Sequence, residues 1–314
     1  MAWKLETWNP EYALPERMQS EEEQGGLEDV KTHYEGDWAA RSPAKTEPDL
    51  WPIVYLVDGR QRIDAQIADS GGRSAMLAKV IAGAVLRDGG GIRPVGEPLK
   101  RDVLLHSADL VEPLPLALQH YQPIRTRKSD PASMRARLTE VMRGLEASLV
   151  NELEGGLVVM DGQIFPGEQT FKETERILGY TKTQAATYLG PEQQALLHRL
   201  KPFERTPIFS IPGYGLRRPL DVFSWYVRLP LSPSAPFYGG AALLRVETPT
   251  PEPSDAVRLA DLSVSLFGAL ASSPARDPRA PQNLIPIGGL EQWLGRHMGH
   301  GDVVRRKIVQ ALFG

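Results

Sequence analysis

The sequence of 314 residues contains no cysteine. This absence excludes disulfide scaffolds, thiolate zinc sites, iron–sulfur clusters and cysteine nucleophiles. Histidine is scarce as well, with six residues scattered along the chain, so a zinc site built from several histidines is not expected. No apolar run approaches the roughly 18–20 residues that span a bilayer. The amino-terminal residues lack the basic and then apolar order of a signal peptide, so we expect a cytoplasmic protein without membrane contact.

The charges are unevenly distributed along the chain. Residues 1–50 carry 12 acidic and 5 basic side chains, a balance of −7, and the whole chain has a net charge of −3. The rest of the chain is therefore mildly basic at +4. Such a body can bind a polyanion, although an ordinary solvated surface gives the same pattern. We interpret residues 1–48 as an acidic N-terminal arm that packs on a second subunit.

Two continuous apolar runs, residues 53–57 and 157–160, predict strands that are buried on both faces. Each run is followed by Asp-Gly, a pair typical of a turn that ends a strand. Between the two runs, residues 131–152 predict a helix, with Asp130 at the N-cap and Pro131 at the first helical position. Further strands and helices follow, among them helices at residues 263–271 and 303–313. The pattern predicts an α/β fold.

The two Asp-Gly pairs bring two carboxylates, Asp58 and Asp161, to the ends of strands that lie about 5 Å apart if they are neighbours in a sheet. Such carboxylates repel each other unless a cation neutralises them. Their hard oxygen atoms suit Mg²⁺ or Mn²⁺ better than Zn²⁺. The alternative is that each Asp-Gly is an ordinary turn without a ligand.

The predicted helix adds a third carboxylate to this arrangement. Glu146 follows Leu145 at the edge of the apolar stripe, where it can lean over the strand ends, and Glu140 flanks the same stripe. A single glutamate on a helix is usually solvated. The order strand-Asp, helix-Glu, strand-Asp nevertheless allows the carboxylate cage of an RNase H-like two-metal nuclease.

A series of short motifs resembles, in order and spacing, the successive motifs of the NurA nucleases. The motifs are Val-Asp-Gly-Arg-Gln-Arg-Ile-Asp at 57–64, Arg-x-x-Glu at 143–146, Val-Met-Asp-Gly at 159–162, Leu-Gly-Tyr-Thr-Lys-Thr at 178–183, Glu-Arg-Thr-Pro-Ile-Phe at 204–209, Tyr-Val-Arg-Leu at 226–229 and Arg-Val-Glu at 245–247. The resemblance covers about residues 50–250.

This resemblance implies an RNase H-like, Piwi-related core with a mixed β-sheet and flanking helices. It places the core at about residues 50–210 of a nuclease domain at 49–314, with a β-rich and helical part at 211–314. It also implies a homodimeric, manganese-dependent DNA nuclease, or one that uses Mg²⁺, with 5'-3' exonuclease and single-strand endonuclease activity. Such nucleases resect DNA ends for double-strand break repair together with the hexameric ATPase HerA.

The matching positions assign roles to individual residues. Asp58, Glu146 and Asp161 would bind two metal ions in each active site, and Lys182 would steady the phosphate as a further catalytic residue. The sequence departs from the family at its C-terminal histidine, for which His297, His300, Asn283 and Glu291 are the candidates. Six basic residues are expected to contact nucleic acid, each with solvated surface as the alternative: Arg60, Arg62, Lys182, Arg205, Arg217 and Arg218.

Two other functions remain compatible with the sequence. A catalytically silent adaptor would bind DNA and feed it to an ATPase ring. A metal-dependent RNase or structure-specific endonuclease would share the carboxylate cage and differ in substrate. The chain has no GxxxxGK[ST] motif, so we do not expect it to hydrolyse ATP itself, and without Gly-x-Ser-x-Gly a serine hydrolase is not expected.

Overall fold

The computed structural model describes residues 4–5, 30–108, 110, 113–165, 170–182, 188–214, 220–230, 242–273 and 280–314. The strands in these residues are β1 (Lys4–Leu5), β2 (Val54–Ala68), β3 (Ser74–Asp88), β4 (Gly91–Pro94), β5 (Leu99–His106), β6 (Gln122–Arg125), β7 (Leu157–Asp161), β8 (Ile177–Thr181), β9 (Phe209–Tyr214), β10 (Leu220–Arg228) and β11 (Leu243–Thr248). The α-helices are α1 (Pro131–Val150), α2 (Pro191–Arg199), α3 (Pro253–Leu270), α4 (Ile285–His297) and α5 (Gly301–Phe313).

The strands form one mixed sheet with the order β6-β5-β3-β2-β7-β8-β11-β10-β9, and β1 and β4 pair with β2 and β3. β3 runs antiparallel to β2 and to β5, whereas β7 and β8 run parallel to β2. The central order β5-β3-β2-β7-β8, with β3 antiparallel to the other four, is the arrangement of an RNase H-like sheet. This topology confirms the predicted α/β class with a mixed sheet. The strands after residue 210 continue the same sheet.

Helix α1 covers one face of the sheet and confirms the helix predicted from residue 131. It begins as expected, because the Asp130 side chain accepts a hydrogen bond from the Ser133 backbone N–H and Pro131 occupies the first turn. Its apolar stripe packs on β2, β3 and β5 through Met134, Leu138, Val141, Leu145 and Leu149. Helices α3 and α4 contribute to the core on the other face. Helix α3 starts at Pro253, ten residues before the predicted helix at 263–271.

The prediction that β2 ends in a turn at Asp58-Gly59 was wrong. Strand β2 continues to Ala68, because it stays paired with its antiparallel partner β3 on both sides of one irregularity between Ile63 and Ala65, with Asp58↔Gly83 and Gly59↔Ala82 in the register. The parallel ladder to β7 ends earlier, at Val57↔Met160. Between that pair and Ile67, where β1 pairs with β2, no strand in the described residues pairs with this edge of β2, which is open there. Strand β7 does end at Asp161, followed by Gly162 with φ +107°.

The segment at residues 30–48 packs back on the C-terminal part of the sheet. Tyr34 lies edge-on to Phe223, and the Arg41 backbone N–H donates to the Arg205 carbonyl oxygen. Residues 1–3 and 6–29 of the predicted arm lie outside the described residues, and its contact with a second subunit stays a prediction. In the described part of the chain, no helix combines the length and apolar character needed to cross a membrane.

Candidate metal centre

Three carboxylates from three separate elements converge at the open edge of β2. Asp58 comes from β2, Asp161 is the last residue of β7, and Glu291 lies in the middle of α4. Each offers a carboxylate oxygen, and these oxygens all lie within 4.8 Å of one another. Because Val57 is paired with Met160, the parallel register puts Asp58 and Asp161 side by side. The structure therefore brings together the two aspartates that the sequence analysis singled out.

The electrostatics of this group favour a bound cation. Burial, followed by the charges of Asp161 and Glu291, raises the pKa of Asp58 to about 8. Burial also raises the pKa of Asp161, although the Lys182 ammonium acts in the opposite direction. Carboxylates packed this closely are stabilised by a positive charge, and carboxylate oxygens are the ligands that Mg²⁺ and Mn²⁺ prefer. The donor set fits a divalent ion of this class.

The ammonium of Lys182 lies against one of these carboxylates. Its Nζ donates to Asp161 Oδ2 at 2.6 Å and to Asn283 Oδ1 at 2.8 Å. Asn283 is buried, and an ammonium has three N–H donors, so these two bonds leave one donor. Lys182 is thus held in a fixed place beside the carboxylates.

Glu146 lies next to Asp58 but outside the tight group of three oxygens. Its Oε1 occupies the space beside Gly59, where a Cβ atom on residue 59 would be only 2.5 Å away. Burial and then the charge of Asp58 raise the pKa of Glu146 well above its usual range. The missing side chain at Gly59 therefore gives Glu146 access to the cluster from α1. Its role as a metal ligand stays a prediction.

The four candidates for the C-terminal ligand lie in different places. Glu291 is in the carboxylate group and Asn283 bonds Lys182, so both belong to the site. His297 Nδ1 instead lies 2.9 Å from the Trp293 carbonyl oxygen, and His300 is the exposed N-cap of α5. The sequence does carry a signal for Glu291. It follows Leu290 on the buried face of α4, as Glu146 follows Leu145 on α1.

The basic residues predicted to bind nucleic acid are placed differently from one another. Arg60 and Arg62 donate to backbone carbonyls of α4 and of the residues just after it. Arg205 is buried and bonded to Glu35 and Asp261, so the structure does not bring it to the site. Arg217 and Arg218 lie outside the described residues.

The raised carboxyl pKa values predict how the stability of the metal-free protein depends on pH. The folded state holds protons at Asp58 and Glu146 more tightly than the unfolded chain, where carboxyl pKa values are about 4. The free energy of unfolding should therefore be highest below about pH 4 for these groups and fall as the pH rises toward about 8. Thermal unfolding in EDTA between about pH 5 and 8 measures this. The profile of Glu146→Gln should be flatter than that of the wild type, and parallel profiles would contradict the prediction.

No protein-family model and no curated protein matches the sequence. The chain is similar to the solved structure of the NurA nuclease from Sulfolobus solfataricus, with 12% identity, a TM-score of 0.46, and coverage of 88% of this chain and 86% of that one. It is also similar to a structure of NurA with manganese, with 15% identity, a TM-score of 0.22, and coverage of 40% of this chain and 23% of that one. Both of these structures are of NurA proteins.

Proposed function

We propose that this protein is a divalent-metal-dependent nuclease that hydrolyses phosphodiester bonds of DNA, with Mn²⁺ as its ion and Mg²⁺ as the alternative. The observation that carries the proposal is the convergence of Asp58, Asp161 and Glu291 within 4.8 Å at a largely buried edge of the sheet. Lys182 beside them supplies a positive charge suited to a phosphate. A partly buried group of hard oxygen ligands next to a cationic donor is suited to metal-assisted phosphoryl chemistry.

The residues that would hold the ions follow from the arrangement of the carboxylates. Asp161 and Glu291 are the main charges acting on Asp58, and Asp58 is the main charge acting on Glu146. Asp58 thus interacts both with the pair Asp161 and Glu291 and with Glu146. We assign one ion to Asp58, Asp161 and Glu291, and a second ion to Asp58 and Glu146. When bound, such ions lower the pKa of a water molecule and stabilise the leaving oxygen of the phosphodiester.

The protein's own side chains then orient the substrate. The remaining N–H donor of Lys182 is available to a non-bridging phosphate oxygen, and the hydrogen bond to Asn283 keeps the ammonium in place. A fixed donor beside the reacting phosphate stabilises the charge that develops in the transition state. Asp161 has a second role here, because its bond to Lys182 ties the ammonium to the carboxylates.

The finer features of the proposal rest on the motif resemblance. They are 5'-3' exonuclease and single-strand endonuclease activity, DNA end resection in double-strand break repair, and action in the cytoplasm. We also propose a homodimer that works with a HerA-type hexameric ATPase. The sequence lacks a phosphate-binding GxxxxGK[ST] motif, so energy for movement along DNA would come from that partner.

Digestion of end-labelled DNA tests the proposal. Purified protein should cleave single-stranded DNA or duplex ends with Mn²⁺, and EDTA should stop the reaction. Glu146→Gln should lower the rate by about 100-fold, since it removes a charge from the proposed ion cluster. Glu140→Gln is the matched control. It lies on the same helix but pairs with Arg137 instead, and it should cleave like the wild type.

Digestion of RNA and DNA under the same conditions separates the alternative functions. Cleavage of RNA in preference to DNA would replace the proposal with a metal-dependent RNase. No cleavage by the wild type, either alone or with the ATPase added, would favour the silent DNA-binding adaptor.

A further inference from the structure

The side chains of three alternate residues on β2 point toward α4 and the carboxylate group. Asp58, Arg60 and Arg62 share one face of the strand, because successive side chains of a strand point to opposite faces. Asp58 belongs to the carboxylate group. The guanidinium groups of Arg60 and Arg62 both reach the α4 region, and α4 carries Glu291. Strand β2 therefore provides the Asp58 carboxylate and also two contacts to α4, the helix that provides the Glu291 carboxylate.

Arg60 contacts α4 at Glu291 itself. Its Nη1 donates to the backbone carbonyl oxygen of Glu291 at 3.0 Å. Gly295, one turn further along α4, leaves room for this contact. A Cβ atom on residue 295 would lie 2.6 Å from Arg60 Nη1.

Arg62 holds the C-terminal end of the same helix. Its Nη1 donates to the carbonyl oxygens of Met298 at 3.1 Å and Gly299 at 2.8 Å. The last carbonyls of a helix lack partners within it and carry partial negative charge, so a guanidinium is well suited to them. The Arg62 Nε donates to the buried Asp64 at 2.7 Å, and Asp64 also accepts the Tyr121 hydroxyl. Arg62 is therefore oriented from both sides.

Glu291 needs such support more than the two aspartates do. Asp58 and Asp161 lie beside each other on hydrogen-bonded parallel strands, so the backbone register fixes their separation. Glu291 comes from a helix packed against the sheet, and its distance from the aspartates depends on how that helix sits.

We propose that Arg60 and Arg62 are positioning residues that fix α4 on β2 and thereby hold the Glu291 carboxylate against Asp58 and Asp161. This inference rests on the proposed metal site, and it assigns to the two arginines a role other than the predicted contact with DNA. Side chains that orient metal ligands typically contribute about 10- to 100-fold to metal affinity.

A pair of glycine substitutions in α4 tests the proposal with Mn²⁺ alone as the probe. Gly295→Ala displaces the Arg60 guanidinium, whereas Gly289→Ala meets nothing within 4 Å. Both replacements favour the helix, so neither should lower the unfolding temperature in EDTA. Calorimetric titration should show Mn²⁺ affinity about 10-fold weaker for Gly295→Ala and unchanged for Gly289→Ala. Equal affinities in the two variants would overturn the proposal.

Arg60→Gln and Arg62→Gln extend the test to DNA binding measured in EDTA. The proposal expects weaker Mn²⁺ binding in both variants and an unchanged dependence of DNA affinity on salt. A phosphate contact would instead reduce the salt slope by about 1 and leave Mn²⁺ affinity intact. That second result would overturn the positioning role.

The Mn²⁺ titration separates this proposal from the proposed function. Weaker Mn²⁺ binding in Gly295→Ala supports positioning even if the wild type cleaves no DNA. Metal-dependent cleavage with equal Mn²⁺ affinity in the two glycine variants would retain the nuclease and discard the positioning role. A wild type that binds neither Mn²⁺ nor Mg²⁺ would discard both.

Discussion

Asp58→Asn should abolish metal-dependent DNA cleavage and at the same time stabilise the metal-free protein. Asp58 shares the carboxylate group with Asp161 and Glu291, and its charge also acts on Glu146, so its loss affects every proposed ion. We expect the rate to fall by at least about 1,000-fold, because metal ions contribute several kcal/mol to such reactions. DNA binding in EDTA should change little.

The gain in stability follows from the same carboxylate. Burial and its acidic neighbours raise the pKa of Asp58 to about 8, which means that its charged form is unfavourable in the folded protein. A neutral amide of the same shape removes this repulsion. We expect the metal-free variant to gain at least about 1 kcal/mol near neutral pH, measured by thermal unfolding in EDTA. Added Mn²⁺ should stabilise the wild type more than the variant.

The control for this experiment is Asp102→Asn, an identical chemical change elsewhere on the sheet. Asp102 pairs with Lys79 between β5 and β3, outside the carboxylate group. Its variant should cleave DNA at the wild-type rate and should not gain stability in EDTA. An Asp58→Asn protein that cleaves DNA normally would refute both the ligand assignment and the proposed function.

Arg205→Gln should cause a large loss of stability, about 3–5 kcal/mol, because it leaves the Glu35 carboxylate, only 11% exposed, without its guanidinium partner. Arg205 is 2% exposed and donates to both oxygens of Glu35, at 2.8 and 2.9 Å, and to Asp261 at 2.7 Å. Although burial acts to raise the pKa of Glu35, the bonds to Arg205 and Ile208 hold it below its usual value. Urea unfolding at neutral pH measures the loss.

The matched substitution is Arg258→Gln, which removes an arginine from a mostly exposed pair with Asp255. It should change the free energy of unfolding by less than about 1 kcal/mol, as expected for a surface ion pair. If Arg205 were instead a contact to nucleic acid, its variant would fold with wild-type stability and bind DNA more weakly. That pair of results would restore the assignment made from the sequence.

Local signals in the sequence were sufficient for part of the fold and of the site. The start of α1 was predicted from Asp130 and Pro131, whose capping chemistry depends on a few neighbouring residues. The proximity of Asp58 and Asp161 was predicted from two apolar runs, since strands buried on both faces pair in parallel at the centre of a sheet.

The remaining features depend on contacts between residues far apart in the chain. Asp58-Gly59 reads as a turn, yet β3 extends the strand through it. Arg205 lies in one of the motifs that resemble the NurA nucleases, but its partner Glu35 comes from 170 residues away. The place of Glu291 depends on how α4 packs, with Trp293 and Leu294 against Gly83 of β3. The periodicity of a single segment contains no information about such partners.

The close approach of Glu146 to Gly59 has a consequence for how related sequences can diverge. A Cβ atom at position 59 would meet Glu146 Oε1 at 2.5 Å and Met142 Cγ at 2.9 Å. In a lineage that retains glutamate at 146, a side chain at 59 requires the Glu146 carboxylate and the Met142 side chain to shift. A larger residue at 59 becomes acceptable once position 146 carries a shorter side chain and position 142 a smaller one. We expect these three positions, one on β2 and two on α1, to change together during evolution.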